Sequence, residues 1–427
     1  MSSQPHPAKL RSGYKQTDVG VIPQDWEVKP FGELFAFRNG VNADKGRYGK
    51  GIRFINVLEP ITFSHIHGPE IAGRVTLPES IAASYEVKRG DVLFNRTSET
   101  QEEVALAATY LGSERVVFGG FVIRGRPTNE SLDPIYSGYA LRAPFIRSQI
   151  IPMGQGAVRA NVGQQNLGRV VAPIPPLPEQ RAIAGALSDV DALLGALDQL
   201  IGKKRDLKQA AMQQLLTGQT RLPGFHGEWE SKQLGDIGKF KNGLNKNSGA
   251  FGHGSPFVNL MDVFGVNAIN SSNHLGLVAS TKLDQDVYDL RRGDVLFIRS
   301  SVKPSGVGLT AVVECDLPET VYSGFLIRFR DNGLLDLGFK KHCFYGENFR
   351  KNIIAASSVS ANTNVNQNAL GLLTIKLPPT KAEQTAIAEV LSDMDAELAA
   401  LEQRHVKTQA LKQGMMQDLL TGRTRLV

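Results

Sequence analysis

Arginine and hydroxyl side chains recur after two similar apolar segments of the chain. Arg96-Thr97-Ser98 follows Val92-Leu93-Phe94-Asn95, and Arg299-Ser300-Ser301 follows Val295-Leu296-Phe297-Ile298. An arginine beside two hydroxyls suits a phosphate group, and an arginine can also pair with a guanine base. The same residues can instead form a structural salt bridge and cap a turn. We predict them as candidate ligand-binding residues and keep both interpretations.

Two amide-rich segments have similar chemistry. Asn161-Val162-Gly163-Gln164-Gln165-Asn166 corresponds to Asn364-Val365-Asn366-Gln367-Asn368, with the frame slipped by one residue. Side-chain amides can pair bidentately with adenine, but they also satisfy the backbone of loops. The candidate binding residues are Asn161, Gln164, Gln165, Asn166, Asn364, Asn366, Gln367 and Asn368. Lys50 and Arg159 join them because nearby glycines let a ligand approach the backbone, although each can be a simple solvated charge.

Known catalytic motifs are missing from the sequence. It contains no P-loop, HExxH or GxSxG pattern, no Rossmann glycine fingerprint ahead of a strong helix, and its 8 histidines have no metal-ligand spacing. Cys315 and Cys343 are too few for a disulfide framework or a structural zinc site, which indicates a reducing cytosol. We expect no active site, no metal and no cofactor in this chain.

The elements that position these residues occur twice. Trp26-Glu27 recurs as Trp229-Glu230 at an offset of 203, as does Gly90-Asp91-Val92-Leu93-Phe94 in Gly293-Asp294-Val295-Leu296-Phe297. The offset becomes 204 at Gly120-Phe121 and Gly324-Phe325. Each copy begins with short apolar runs separated by turn signals, which predicts a β-rich domain with some helix. We predict Trp26 and Trp229 as core anchors and the Asn-Gly pairs at 39–40 and 242–243 as turns.

A stretch almost without glycine or proline ends each copy and predicts a long helix. Apolar residues with heptad spacing form a seam along both stretches. The seam residues are Ile183, Leu187, Val190, Leu194, Leu197 and Ile201, and Ile387, Leu391, Met394, Leu398 and Leu401. The pattern continues out of step at Leu207, Ala211 and Leu215, and at Leu411, Met415 and Leu419. Because a β-rich domain separates the two helices, antiparallel packing is the economical arrangement.

Signals at the helix ends and one polar seam residue complete this prediction. Pro178 and a Thr380–Glu383 capping box mark the helix starts, and Gly218 and Gly422 mark the stops. His405 takes the seam position that Ile201 holds in the first copy. It is either a polar residue that fixes the register of the pair or a functional switch.

The basic charge is concentrated outside the helices. Of the formal net charge of +6, residues 178–218 contribute zero and residues 380–422 contribute −3, which leaves +9 for the rest of the chain. This distribution favours an anionic ligand for the β-rich domains and a protein partner for the helices. Lys203-Lys204-Arg205 is either a solvated face or a phosphate or partner contact. The composition is that of a globular protein, and we expect neither a membrane span nor a signal peptide.

Several motifs resemble the specificity subunit of type I restriction–modification systems. They are Tyr14-Lys15-Gln16-Thr17-Asp18-Val19-Gly20-Val21-Ile22-Pro23-Gln24-Asp25-Trp26, the two Gly-Asp-Val-Leu-Phe-x-Arg segments, the Pro-Pro helix entries with Glu179-Gln180 and Glu383-Gln384, and the two Leu-Leu-Thr-Gly helix ends. The resemblance covers essentially the whole chain. It implies that each copy is a target-recognition domain followed by a long helix, that each domain reads one half of a bipartite, asymmetric site in double-stranded DNA, and that the helix pair sets the half-site spacing.

The resemblance also implies the partners and the division of labour. Methyltransferase subunits, two of them, dock on the helices, and motor–nuclease subunits cleave unmodified DNA. S-adenosylmethionine, ATP and magnesium then belong to those partners, and this cytoplasmic chain is not an enzyme. Segments 61–86 and 264–289 differ between the copies, as do 97–116 and 300–320, which suits domains that read unlike half-sites.

We therefore predict an α+β fold with two mixed, β-rich recognition domains separated by an antiparallel coiled coil. The predicted segments are 1–177 with an N-terminal arm at 1–18, the helix 178–218, the second domain 219–379, and the helix and tail 380–427. Two alternatives remain open. One is the specificity module of a related type II-like restriction system, and the other is a coiled-coil protein–protein adaptor that binds no DNA. An intrinsic enzyme would require activity from the isolated chain.

Overall fold

The computed structural model describes residues 11–156, 159–359 and 362–426. The chain divides into two compact units. The first unit comprises Met1–Leu197 and Arg404–Val427, and the second comprises Asp198–Gln403. Two 39-residue helices, α7 (Leu177–Leu215) and α13 (Lys381–Leu419), each contribute one segment to each unit. The predicted α+β class, with β-rich domains and two long helices, is confirmed.

The first unit begins with short strands interrupted by short helices. Its strands are β1 (Tyr14–Thr17), β2 (Gly20–Pro23), β3 (Glu27–Pro30), β4 (Phe35–Asn39), β5 (Tyr48–Ile55), β6 (His65–Ile66), β7 (Arg74–Val75), β8 (Glu86–Val87), β9 (Val92–Asn95), β10 (Thr97–Ser98), β11 (Ala107–Tyr110), β12 (Val116–Phe118), β13 (Val122–Pro127), β14 (Ala160–Asn161) and β15 (Val171–Ile174). Its short helices are α1 (Phe31–Leu34), α2 (Leu58–Thr62), α3 (Glu79–Ser84), α4 (Pro134–Ala140), α5 (Pro144–Ile150) and α6 (Gln164–Arg169).

The second unit repeats this order. Its strands are β16 (Glu230–Gln233), β17 (Gly238–Asn242), β18 (Phe251–Val258), β19 (Ala268–Ile269), β20 (Gly276–Val278), β21 (Val295–Ile298), β22 (Ser300–Ser301), β23 (Thr310–Val313), β24 (Val321–Tyr322), β25 (Leu326–Asp331), β26 (Ser358–Val359), β27 (Thr363–Asn364) and β28 (Thr374–Leu377). Its short helices are α8 (Leu234–Ile237), α9 (Lys282–Val287), α10 (Leu337–Cys343), α11 (Glu347–Ala355) and α12 (Gln367–Leu372).

A five-stranded mixed sheet is the centre of each unit. Its strand order is β4-β13-β9-β11-β6 in the first unit and β17-β25-β21-β23-β19 in the second, so the two sheets have one topology. The repeated Gly-Asp-Val-Leu-Phe motif forms the middle strands β9 and β21. Val92 to Phe94 and Val295 to Phe297 are fully buried, as expected for apolar runs covered on both faces.

The aspartate of this motif holds the entry to the middle strand. Gly90 adopts a φ of +90° in the turn before β9, and the Asp91 carboxylate accepts a hydrogen bond from the Lys88 amide. Arg126 on the neighbouring β13 donates to both carboxylate oxygens of Asp91, at 2.8 and 2.7 Å. In the second unit Arg330 donates to both oxygens of Asp294, each at 2.6 Å. The motif therefore has a structural explanation in both copies.

Segments of α7 and α13 pack together within the first unit. Ile183 and Leu187, near the start of α7, share a core with Leu419 and Leu420, at the end of α13. The Lys412 Nζ lies 2.5 Å from an Asp191 carboxylate oxygen. The start of one helix lies beside the end of the other, so the pair is antiparallel in this unit.

The same arrangement occurs within the second unit with the roles of the helices exchanged. Lys204 and Arg205 of α7 form ion pairs with Glu397 and Glu402 of α13, at 2.7 and 2.5 Å. Lys208 also pairs with Asp395. Two residues of the basic Lys203-Lys204-Arg205 cluster therefore bind the partner helix. Antiparallel packing is confirmed within each unit.

The heptad seam differs from the prediction beyond Ile201. Leu207 and Leu411, which continue the predicted apolar pattern out of step, are 56% and 59% exposed, so neither belongs to the buried seam. Steps of four and three residues continue unbroken through Lys204 and Lys208 to Ala211 and Leu215. On α13 the same steps pass through His405, Thr408 and Lys412. A search for apolar residues misses this continuity because several of these positions are polar. A lysine can occupy a seam position when a carboxylate on the partner helix lies across from it.

Both long helices are anchored at their first turn by a buried glutamate. Glu179 accepts a hydrogen bond from the Trp26 indole at 2.8 Å and forms an ion pair with Arg425. Glu383 accepts equivalent bonds from Trp229 and Arg221. Thr380 does cap Glu383 through its hydroxyl, but the Glu383 carboxylate is occupied by these partners and does not complete the predicted capping box.

Glycines at 40 and 243 have a different role from the predicted turns. A Cβ atom at Gly40 would lie 1.9 Å from the Gly119 carbonyl oxygen, and one at Gly243 would lie 2.2 Å from that of Ser323. Neither glycine has a positive φ. These residues are glycines because another backbone segment passes close to them. In the described ranges, no helix has both the length and the apolar composition to cross a membrane.

Candidate nucleic-acid interface

A short antiparallel ribbon brings two of the predicted segments together in the first unit. Strand β10 pairs with β14, with Thr97 opposite Asn161 and Ser98 opposite Ala160. The Thr97 hydroxyl donates to the Asn161 side-chain oxygen at 2.6 Å, and the Asn161 amide donates to the Arg159 carbonyl at 3.0 Å. We call residues 97–99 and 159–161 the first ribbon. The structure therefore joins the hydroxyl segment and the amide segment into one surface.

The second unit has the equivalent ribbon. Ser300 pairs with Asn364 and Ser301 with Thr363. The Asn364 amide donates to the Asn362 carbonyl at 2.9 Å, which repeats the bond between Asn161 and Arg159. We call residues 300–302 and 362–364 the second ribbon. Both of its strands are offset by 203 from the first ribbon, one residue less than the offset of 204 between Gly120 and Gly324.

The two predicted arginines brace a turn beside each ribbon. The backbone amide of Arg96 donates to the Phe121 carbonyl at 2.8 Å, and that of Arg299 donates to the Phe325 carbonyl at 2.8 Å. Their guanidinium groups lie near the carbonyls of Gly120 and Gly324, at 3.4 and 3.3 Å. Each arginine is only half-buried, so its contact with a phosphate or a guanine stays a prediction.

The hydroxyl groups of the two ribbons differ in burial and in hydrogen bonding. Ser98 is 4% exposed and donates to the Glu103 carboxylate at 2.9 Å, so its hydroxyl caps the following loop. Thr97 is occupied by Asn161. Ser300 and Ser301 are half-buried on the second ribbon.

Amide residues beyond the ribbons begin short helices. Asn366 is the N-cap of α12, and its side chain accepts from the Ala369 amide at 2.9 Å. With its amide oriented to satisfy both neighbours, Gln367 donates to the Phe240 carbonyl at 3.1 Å. These two residues satisfy the local backbone, the second of the two interpretations given above. Gln164 and Asn166 are half-buried on α6, whereas Gln165 and its counterpart Asn368 on α12 are exposed.

Lys50 lies on a different element from the ribbon. It is exposed on β5, between Gly49 and Gly51, which have φ values of +94° and +95°. Its carbonyl accepts from the Thr76 hydroxyl at 3.1 Å. The structure therefore does not join Lys50 to the ribbon through β10 or β14, and its ligand contact stays a prediction.

Exposed apolar side chains beside the ribbons were not predicted. Phe121 and Phe325 are 50% and 58% exposed, and Leu58 and Met261, which are also equivalent, are 72% and 73% exposed. In the first unit these side chains border a depression of about 510 Å³ whose lining includes Asn56, Leu58, Thr97, Glu99, Phe121 and Arg159. The Gly-Phe pair, which recurs in both copies, is the sequence signal that could have identified this surface.

An arginine supports the loop that follows each ribbon strand, and this arginine is buried in the first unit and half-buried in the second. Arg147 on α5 donates to the carbonyls of Glu102 and Val104, each at 2.7 Å. Arg350 on α11 donates to the carbonyls of Ser305 and Val307 at 2.9 and 2.8 Å. Burial lowers the pKa of Arg147 to about 10 and also lowers the pKa of Arg350. Both groups remain cationic at neutral pH and hold these loops through neutral acceptors.

In the described ranges, no cluster of three or more His, Cys, Asp or Glu residues is arranged to hold a metal ion. The geometry instead offers two equivalent ribbons that carry hydroxyl and amide groups, with an exposed carboxylate and guanidinium on the first. Such groups can hydrogen-bond to base edges and phosphates.

Comparison with known proteins identifies the same frame elsewhere. Residues 226–412 match the family model of the type I restriction modification DNA specificity domain. The putative type I restriction enzyme MjaX specificity subunit of Methanocaldococcus jannaschii is 28% identical over 59% of this chain, and the match spans 63% of that relative's own length. The StySPI specificity subunit of Salmonella potsdam is 24% identical over 87% of this chain and 82% of its own length.

Solved structures share the fold over nearly the whole chain. The S subunit of the type I restriction–modification system from M. genitalium superposes with a TM-score of 0.53 at 15% identity, covering 96% of this chain and 98% of that one. A chain from a structure of a type I R-M system, solved to describe complex assembly and conformational transition, gives a TM-score of 0.60 at 17% identity, covering 94% and 99%. At these identities the likeness establishes a common fold.

Proposed function

We propose that the chain is a specificity subunit of a type I restriction–modification system, and that it selects the DNA sequence on which a restriction–modification complex acts. Each unit reads one half of a bipartite site in double-stranded DNA. One observation carries the proposal: the same ribbon on the same frame occurs in both units with unlike side chains. A duplicated scaffold with unlike tips is what two different half-sites require.

The division of contacts follows from the chemistry of the ribbons. Arginine and lysine side chains supply affinity through phosphates, while amide, hydroxyl and charged groups at the ribbons discriminate bases. The major groove admits a two-stranded ribbon such as β10 with β14, and the second ribbon has β26 as a third strand. Every base pair presents a distinct pattern of donors and acceptors in that groove. The excess of +9 charge outside the helices supports this assignment.

The long helices supply the surface for protein partners. Leu200 and Leu207 on the second-unit segment of α7 are 40% and 56% exposed and lie one heptad apart, outside the seam. Exposed apolar residues in a row favour a protein contact. We propose that methyltransferase subunits dock on the helices, and that these subunits and the motor–nuclease subunits carry S-adenosylmethionine, ATP and magnesium. The chain itself acts in the cytoplasm without catalysis.

Coexpression with the methyltransferase subunits tests the proposal. Sequencing the methylated positions of the host genome should reveal one bipartite motif. Exchanging residues 20–160 for those of a relative should change one half of the motif and leave the other half intact. Binding of the purified complex to its site should weaken steeply with salt, since bound phosphates release counterions.

Two outcomes would contradict this function. Binding that ignores both sequence and salt would favour an adaptor without a DNA target. Catalytic activity of the isolated chain would show that it is an enzyme. A related type II-like system would retain the bipartite motif but couple it to a different effector protein.

A further inference from the structure

Each ribbon ends in a pair of residues that differs between the two units. Continuing the register of the first ribbon by one residue sets Glu99 opposite Arg159. The same step in the second ribbon sets Val302 opposite Asn362. Both residues of each pair are offset by 203, so the pairs occupy equivalent positions. The duplicated frame therefore presents an acid and a base at one tip and an aliphatic residue and an amide at the other.

All four side chains reach solvent. Glu99 and Arg159 are 85% and 57% exposed, and their carboxylate and guanidinium groups lie 3.7 Å apart. Val302 is 83% exposed, and Asn362 is exposed as well. An ion pair this exposed contributes little to stability, and an aliphatic side chain this exposed contributes little core burial. The chemistry of these tips is therefore available to a ligand.

The two pairs match the edges of two different base pairs in the major groove. A carboxylate accepts a hydrogen bond from cytosine N4, and an arginine donates to guanine O6 and N7. An asparagine pairs with adenine N6 and N7, and an aliphatic side chain contacts the thymine methyl group. Resting on the proposed function, we propose that Glu99 with Arg159 selects a C·G pair in one half-site, and that Val302 with Asn362 selects a T·A pair in the other.

Discrimination arises from the groups that the wrong base pair leaves unsatisfied. Opposite a T·A pair, Glu99 would lose the hydrogen bond from the base and lie near the thymine methyl group, with its charge desolvated. Opposite a C·G pair, Val302 would cover the cytosine amino group without accepting its hydrogen bond. Phe121 and Leu58 line the same depression as Glu99 and offer an apolar surface beside it.

Reciprocal double variants test the proposal in the complex with the methyltransferase subunits. E99V/R159N gives the first ribbon the chemistry of the second, and V302E/N362R does the reverse. E99V/R159N should replace one C·G position of the methylated motif by T·A and leave the other half unchanged. V302E/N362R should replace one T·A position by C·G in the other half. Binding to the wild-type duplex should weaken about 5- to 150-fold for each, the cost of one mismatched base pair.

A matched control uses a second Glu–Arg pair of the first unit. Glu79 and Arg115 form an exposed ion pair at 2.6 Å that lies outside the ribbon. E79V/R115N makes the same chemical change and should keep the wild-type motif. R159K provides a conservative variant that keeps the charge but loses bidentate geometry. It should still assemble and should relax the requirement for guanine at the same position.

The results separate this proposal from the proposed function. If the wild-type complex methylates a bipartite motif and E99V/R159N leaves that motif unchanged, the assignment of Glu99 and Arg159 is wrong while the function stands. A motif changed equally by E79V/R115N would also overturn the assignment. A wild-type complex that shows no sequence preference would contradict the function itself.

Discussion

Arg147 and Arg350 each stabilise a loop by donating to carbonyl groups rather than to a carboxylate. Each guanidinium binds two carbonyl groups in the loop that follows a ribbon strand. Removing the guanidinium would leave both carbonyls without this donor, and the cost in free energy is largest for Val104 and Val307, which are buried.

We therefore expect Arg147→Met to lower the free energy of unfolding by about 1–3 kcal/mol, because the buried Val104 carbonyl and the part-buried Glu102 carbonyl lose their donor. Urea unfolding followed by circular dichroism measures the change. Arg169→Met, at an exposed position on α6, should alter stability by less than about 0.5 kcal/mol. Equal losses for the two variants would show that the loop does not depend on Arg147.

His342 connects the second β-rich domain to the helix segments of its own unit. Its Nε2 lies 3.1 Å from the Ser392 hydroxyl, and its Nδ1 lies 4.0 Å from Asp395, which also binds Lys208. Burial lowers the pKa of His342 from 6.5 to about 4. The equivalent residue of the first unit is Tyr139, whose hydroxyl donates to Asp191 at 2.7 Å.

This pKa predicts a loss of stability in acid. As the pH falls below 6.5, His342 of the unfolded chain binds a proton, whereas the folded chain resists protonation until about pH 4. Stability is therefore retained above pH 6.5 and declines between pH 6.5 and 4, by about 3 kcal/mol in total. His342→Tyr should remove this part of the pH dependence, as measured by urea unfolding at pH 7.5, 5.5 and 4.5. His274→Tyr, at an exposed site, should retain it.

At the scale of the elements, the heptad spacing predicted both long helices and most of the residues along their seam. The six predicted seam residues of α7 are buried or half-buried, and the antiparallel direction follows from ion pairs inside each unit. Leu207 continued the apolar pattern out of step, and hydrophobicity alone does not distinguish an exposed leucine from a seam leucine. Lys208 was missed because a search for apolar residues skips charged ones.

A matched pair of substitutions tests this seam. Leu187→Gln should lower the free energy of unfolding by about 2–4 kcal/mol, because it places an amide among fully buried residues. Leu207→Gln makes the same change on the same helix at a position that is 56% exposed, and should change stability by less than about 0.5 kcal/mol. Thermal and urea unfolding measure both. A large loss of stability for Leu207→Gln would show that Leu207 does contribute to the packing of the helix pair.

Whole-molecule organisation depends on contacts between distant parts of the chain. Arg425, in the tail after α13, binds Glu179 and Asp25 in the first unit. In the second unit, Arg221 in the tail after α7 makes the equivalent bond to Glu383. Each β-rich domain is therefore completed by the end of one long helix and the start of the other.

This arrangement predicts effects confined to one unit. Arg425→Ala should destabilise the first unit by about 1–3 kcal/mol, because the fully buried Glu179 carboxylate loses its cation. Arg221→Ala should act in the same way on the second unit through Glu383. Hydrogen exchange resolved by peptide measures each unit separately. Loss of protection in both units from either variant would contradict the pairing.

The structure brings predicted candidate residues together where the segments recur in both copies. The Arg96 and Arg299 segments and the first amide of each amide run meet on equivalent ribbons. Ser98 and Asn366 belong to the local backbone network, which residue type alone does not distinguish from ligand binding. Glu99, Val302 and Asn362 were not predicted because they differ between the copies.

The sequence by itself determined the duplication, the β-rich frame, the two helices and the family resemblance, because these depend on local periodicity and on motifs that recur in register. Tertiary structure alone decided which strands form the ribbons, which polar residues occupy the seam, and which glycines allow two backbones to approach. Those features depend on contacts between residues far apart in the chain, such as Arg425 with Glu179, and the spacing of residues along one segment carries no record of such contacts.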